Sequence, residues 1–242
     1  MTWTPPDNPN LWEILKSAAS DTRDGYHDQA LTKFLWFHHN ALRHNSAFVG
    51  VRLSYALNYW MELASVYAPA RVAFIRTRDE TEAAFRNDPS RFDLFHDLAA
   101  LNEQLGDGAR TTDLFVDVAR DDHAAAKRLY LVAESHLIAA GRYEVCGPFL
   151  DAPFRMQVAA DSYEVMKNLE ESRQADERSP PRLARTFYAH KVATLIGLLA
   201  LNHRTEEADG IRAQALTVVD DEEFRELLGA AMTGHFPGPL SG

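Results

Sequence analysis

A motif recurs imperfectly along this chain: a helix end, a tight turn often containing Gly, an Ala five residues on, and an aromatic four residues after that. Gly25, Ala30 and Phe34 form the clearest copy, and Gly141-Arg142-Tyr143-Glu144 repeats its opening. The pattern constrains the fold because each part has a packing reason. A small residue lets two helices approach closely, and a large ring fills the space between one helical pair and the next. A chain built this way is a succession of helical hairpins.

Apolar periodicity carries the same message. Leu53, Ala56, Leu57, Trp60, Met61 and Ala64 fall on one helical face, as do Leu129, Val132, Ala133, His136, Leu137 and Ala140, and again Val192, Leu195, Ile196 and Leu199. No alternating segment of useful length suggests a strand. Asp88-Pro89 and Ser179-Pro180 read as an N-cap followed by proline at the first helical position, and Pro69 opens a helix after Tyr67. Asp121-Asp122 and the run from Asp220 to Glu223 put carboxylates where helix dipoles are positive, and read as helix starts. The expected helices are 9–20, 26–44, 47–67, 70–86, 90–105, 109–120, 122–140, 154–175, 181–202, 204–218 and 221–232. The fold class is all-α, with roughly 60% helix or more. One domain is expected over residues 1–233, with an irregular tail at 234–242.

These features resemble the tetratricopeptide repeat, a helix-turn-helix unit that stacks into a right-handed α-solenoid. Phe95, Leu98, Ala99, Gly106 and Phe115 match the family's offsets; Leu57, Ala70 and Phe74 supply another copy. Tyr130, Leu137 and Gly141 form a partial copy with Cys146 at the Ala position, and Thr205 with Ala208 a weaker one. Ala30, Ala70, Thr111, Cys146 and Ala208 thus mark one position in about five irregular repeats. The resemblance implies a non-enzymatic interaction module or scaffold that binds a protein or peptide on a concave surface made by first helices. Carried over one residue at a time, that surface comprises Arg52, Tyr55, Tyr59 and Glu62, then Asp93, His96 and Glu103, then Arg128 and Ser135. The set lacks the Lys and Asn pattern by which some members clamp a terminal carboxylate. A regulator that senses a peptide or small ligand in the same groove is the alternative.

Composition narrows the partners. The 242 residues carry a formal charge of -10, which repels phosphate backbones and anionic membranes. A nucleic-acid partner is therefore not expected. No apolar run reaches the ~20 residues that span a bilayer, and the opening Met1-Thr2-Trp3-Thr4-Pro5-Pro6 lacks the basic and apolar regions of a signal peptide. A cytoplasmic protein is expected. All four tryptophans, Trp3, Trp12, Trp36 and Trp60, lie in the first quarter, and Trp36 with Phe34 and Phe37 rings one helix. That crowding reads as a thick core or as a docking surface, for a partner or for a second copy in a homodimer.

Enzymatic and cofactor signals are weak, and neither a cofactor nor a metal site is expected. Adjacent histidines point about 100° apart on a helix, so His38, His39 and His44 do not co-align as ligands. Cys146 is a lone cysteine, read as a packed residue, and His136 as a core histidine. One pattern is enzyme-like: Arg185-Thr186-Phe187-Tyr188-Ala189-His190 resembles the Arg-x4-His signature of the HEPN nucleases. That resemblance implies a phosphate-stabilising Arg185 and an acid–base His190.

Overall fold

The computed structural model describes residues 3–173 and 183–238; of these, 82% are helical and none lies in a strand. The Ser179-Pro180 cap lies outside the described residues. The helices are α1 (Leu11–Arg23), α2 (His27–His44), α3 (Val49–Leu53), α4 (Tyr55–Val66), α5 (Ala68–Asn87), α6 (Phe92–Gln104), α7 (Gly108–Asp121), α8 (His123–Ala139), α9 (Tyr143–Cys146), α10 (Ala152–Arg173), α11 (Leu183–Leu201), α12 (Thr205–Val218) and α13 (Glu222–Ala231). Short 3-10 turns cover Ser46–Phe48 and Gly147–Phe149. The chain groups into two compact units, Met1–His136 and Leu137–Gly242.

The recurring turn has one geometry at four helix ends that lead into a repeat position, and Gly234 (φ 82°) repeats it after α13, where the His235 N–H reaches the Ala230 carbonyl at 3.2 Å. Gly25, Gly106 and Gly141 have φ of 83°, 71° and 67°, and His203 adopts 59°. In each case the next residue's N–H reaches back to the carbonyl five residues earlier: Tyr26 to Asp21, Asp107 to Asn102, Arg142 to Leu137 and Arg204 to Leu199, all at 2.8–2.9 Å. This is the Schellman closure, which satisfies a helix's last carbonyls and needs a left-handed residue to turn the chain. Five residues beyond each lies Ala30, Thr111, Cys146 or Ala208, every one with 0% exposure. Ala70, at the same repeat position, is equally buried. Its turn is different: Tyr67 is extended at φ -135°, and Pro69 enters the first turn of α5.

In the first unit, packing runs in chain order. α1 lies against α2 and α4, α4 against α5 and α6, and α6 against α5 and α7. Phe34, Phe37, Leu57, Trp60, Leu63 and Phe74 form much of the core between these helices. Rings link successive pairs: Trp60 to Phe74 at 5.1 Å, Phe85 to Phe95 at 5.4 Å, Phe95 to Phe115 at 6.3 Å and Phe115 to Tyr130 at 6.2 Å. Trp60 is 1% exposed, and its Nε1–H donates to the Ala70 carbonyl at 3.1 Å, so its burial leaves no orphan donor.

In the second unit α11 is central, packed by α9, α10, α12 and α13. The sequence shows one apolar stripe there, whereas every residue from Val192 to Leu199 is buried. A helix surrounded by neighbours has no solvent face to keep polar. Two expected boundaries shift. The helix over 47–67 is broken at Ser54 (φ -121°, ψ -88°), whose hydroxyl donates to the Gly50 carbonyl at 2.7 Å. Asp88 ends α5 instead of capping the next helix, and α6 starts at Phe92 after Arg91. Asp122 and Asp221 do cap, accepting from the N–H groups of Ala125 and Phe224 at 2.9 Å. The tail from His235 to Gly238 is irregular, with Phe236 stacked on Tyr143 at 5.4 Å.

Candidate functional site

The residues assigned to a concave surface all lie in the first unit. Tyr55 and Glu62 on α4, Asp93 and Glu103 on α6, and Arg128 and Ser135 on α8 are exposed, while Tyr59 and His96 are half-buried. α4 and α6 run side by side, tied at their polar surface by Gln104 Nε2, which donates to Asn58 Oδ1 at 2.7 Å. Tyr55, Tyr59 and Glu62 share one face of α4, since offsets of four and seven residues bring side chains back to nearly the same direction.

Arg52 departs from the expected set. It is 5% exposed, ion-paired with Asp97 of α6, and its Nη1 donates to the His38 carbonyl at 3.3 Å. A continuous helix would put Arg52 on the Tyr55 and Tyr59 face; the break at Ser54 separates the two registers, and Arg52 turns inward. His38, also buried, stands edge-on to the Trp60 ring at 6.0 Å. Burial, helped by the nearby Arg52 charge, depresses its pKa from the usual 6.5 to about 3, so it is neutral at pH 7. Asp97 is pushed the other way: burial raises its pKa, although Arg52 opposes that shift. This cluster binds α2, α3 and α6 together beneath the α4 and α6 surface.

A second polar network is invisible in the sequence. Arg78, buried on α5, donates to Asp107 at 3.1 Å and to Asn102 at 3.2 Å; Asn102 in turn donates to Thr111 at 3.1 Å. Thr111 therefore serves where other copies carry Ala because its hydroxyl has a buried partner. Glu82 accepts from Arg86 at 2.8 Å and from Arg110 at 2.5 Å. Arg78 is thus held inside, and the nearby Arg76 pairs with Glu80, so neither adds an unpaired cation to the surface of α5.

The crowded aromatics of the first quarter are largely core. Phe34 and Phe37 are buried, Trp36 packs edge-on to Trp3 at 5.9 Å, and the half-exposed Trp12 leans on Phe48 at 5.5 Å. His39 is exposed and His44 lies beside Trp36; among the described residues no group of three His, Cys, Asp or Glu side chains is placed to hold a metal. Cys146 is buried and forms no disulfide. No described helix is long and apolar enough to cross a membrane.

In the second unit, Arg185 and His190 line one cleft of about 590 Å³ with Thr186, Glu223, Phe224 and Glu226. Arg185 is bound there by carboxylates. It makes a two-pronged bond to Asp221 at 2.7 and 2.9 Å and a third to Glu223 at 2.9 Å, which together raise its pKa further. A phosphate entering the cleft would have to displace two carboxylates from that guanidinium and approach a third on Glu226.

No family model and no curated protein matches this chain. A crystal structure from Bacteroides ovatus, described provisionally as a protein binding protein, aligns with 93% of this chain and 97% of its own at 13% identity, with a TM-score of 0.22. A superposition that loose carries no weight for fold or function.

Proposed function

We propose that the chain is a non-enzymatic interaction module whose first unit is a short solenoid of stacked hairpins holding a peptide segment of a partner protein. One observation supports this above the others. The first helices α4 and α6 pack side by side, yet keep Tyr55, Glu62, Asp93 and Glu103 exposed, while the Arg52–Asp97 ion pair and the buried His38 tie the helices together. Hairpins that meet in chain order leave such a surface by construction, because each buries only its flanks against its neighbours. Tyr55 and Tyr59 offer flat apolar area with a polar tip, and the carboxylates of Glu62 and Glu103 favour a partner segment carrying Lys or Arg, Asp93 being already paired with Arg91. The test places a photo-crosslinking amino acid at Tyr55 or Glu103, and at Val72 on α5 as a control, in cells of the source organism. The expected result is one shared adduct at Tyr55 and Glu103 that is missing at Val72. Equal labelling at all three positions removes the groove reading.

A further inference from the structure

α10, in the second unit, carries four large apolar side chains that are exposed, more than any other described helix. Phe154, Val158, Val165 and Leu169 are 62%, 46%, 60% and 52% exposed. At ~100° per residue the four side chains fall within about 60° of one another. Their buried counterparts, Ala152, Met156 and Ala159, occupy a different face of the same helix. The stripe leaves on the order of 400 Å² of apolar surface open, the size at which an exposed patch on a monomer is commonly functional.

The spacing selects the occupant. Phe154 and Leu169 are equidistant from the peptide between Asp161 and Ser162, and so are Val158 and Val165. A stripe with that symmetry is complementary to itself when two copies lie antiparallel, with Phe154 against Leu169 and Val158 against Val165. This is the condition for an isologous interface, in which residue i meets j and j meets i. We propose that α10 is the contact of a homodimer, formed with a second copy of this chain about a two-fold axis passing beside Asp161 and Ser162. This goes beyond the peptide groove, which lies in the other unit.

Two consequences follow from the axis. Asp161 and Ser162 flank the stripe on opposite edges, and an antiparallel two-fold brings each edge against the same edge of the other copy. Ser162 therefore approaches Ser162, and Asp161 approaches Asp161. Asp161 is exposed and accepts from Gln157 Nε2 at 2.8 Å, so the two carboxylates meet at a wet rim where repulsion is modest. The contact is also small. About 400 Å² per copy is half of the standard ~800 Å² per partner, which predicts a reversible dimer with a micromolar or weaker dissociation constant.

The experiment is sedimentation velocity on the full chain over a concentration series to about 200 µM, combined with cysteine crosslinking. The expected result is a monomer–dimer equilibrium that Val165→Glu weakens by tenfold or more and Asp161→Asn tightens by roughly two- to fivefold, with unchanged circular dichroism. Under mild oxidation Ser162→Cys should crosslink. Ser172→Cys should not, because its two copies would stand about 30 Å apart at ~1.5 Å rise per residue. A monomer throughout the series overturns the proposal. So does a dimer indifferent to folded Val165→Glu, or crosslinking at Ser172→Cys that matches or exceeds that at Ser162→Cys.

Discussion

His203 stands where four other turns of this protein, at Gly25, Gly106, Gly141 and Gly234, place glycine, and replacing it with glycine should stabilise the second unit. Its φ of 59° is the left-handed region, which costs an L-residue roughly 1–2 kcal/mol because Cβ crowds the following carbonyl. Glycine removes that crowding. It also frees the unfolded chain, which takes back about 0.4–1 kcal/mol. His203 is exposed, so its ring has little packing to lose. The Arg204 N–H to Leu199 carbonyl bond, at 2.9 Å, is a backbone bond that the substitution leaves in place. The net expectation for His203→Gly is a stabilisation of about 0.5–1 kcal/mol, equivalent to a rise of roughly 1–4 °C in Tm. Gly141→Ala, in the same unit and at the same place in its turn, should shift stability by a similar amount in the opposite direction. An Ala Cβ there meets nothing within 4 Å, so the backbone conformation is the source of its cost. Urea unfolding followed by circular dichroism, with calorimetry alongside, measures both variants. If His203→Gly is neutral or destabilising while the slope against urea is unchanged, then left-handed strain at this turn is not what limits it, and the shared turn geometry loses its energetic meaning.

The remaining expectations follow from the buried cluster and from the Arg185 cleft. His38, with its pKa held near 3 against 6.5 when unfolded, takes up its proton more readily in the unfolded chain, so its contribution to stability is present above pH 6.5 and is lost as pH falls towards 3. Between pH 7 and pH 5 the first unit should lose about 2 kcal/mol, a slope that His38→Gln removes; an unchanged slope in that variant would refute the assignment. The raised pKa of Asp97 acts with the opposite sign at more acidic pH, stabilising the fold where the native carboxyl is protonated before the unfolded one. The purified protein should leave RNA uncut, and Arg185→Ala should lower the melting temperature by releasing Asp221 and Glu223; cleavage lost in folded Arg185→Ala and His190→Ala variants would instead establish the nuclease reading.

The helices were legible because their signals are local. A buried face repeats every three or four residues, and Gly25, Gly106 and Gly141 mark turns that only a left-handed residue can make. Ala30, Ala70 and Cys146 were readable as close-packed positions for the same reason. What escaped depends on neighbours distant in sequence. His203 carries no turn signature, since histidine is ordinary in a helix; its role shows only in the bond from Arg204 back to Leu199. Arg52 looked like a surface residue because an unbroken helix puts it beside Tyr55, whereas the Ser54 break and Asp97, forty-five residues on, draw it inside. The α10 stripe escaped for a related reason: apolar residues at helical spacing are read as core until burial shows that Met156 and Ala159 already serve that purpose. A helix that is apolar on two faces needs two partners, and the described residues cover one. The second face, symmetric about Asp161 and Ser162, fits the same face of another copy turned by the proposed two-fold rotation, so the same periodicity that builds the fold within one chain becomes the means of joining two.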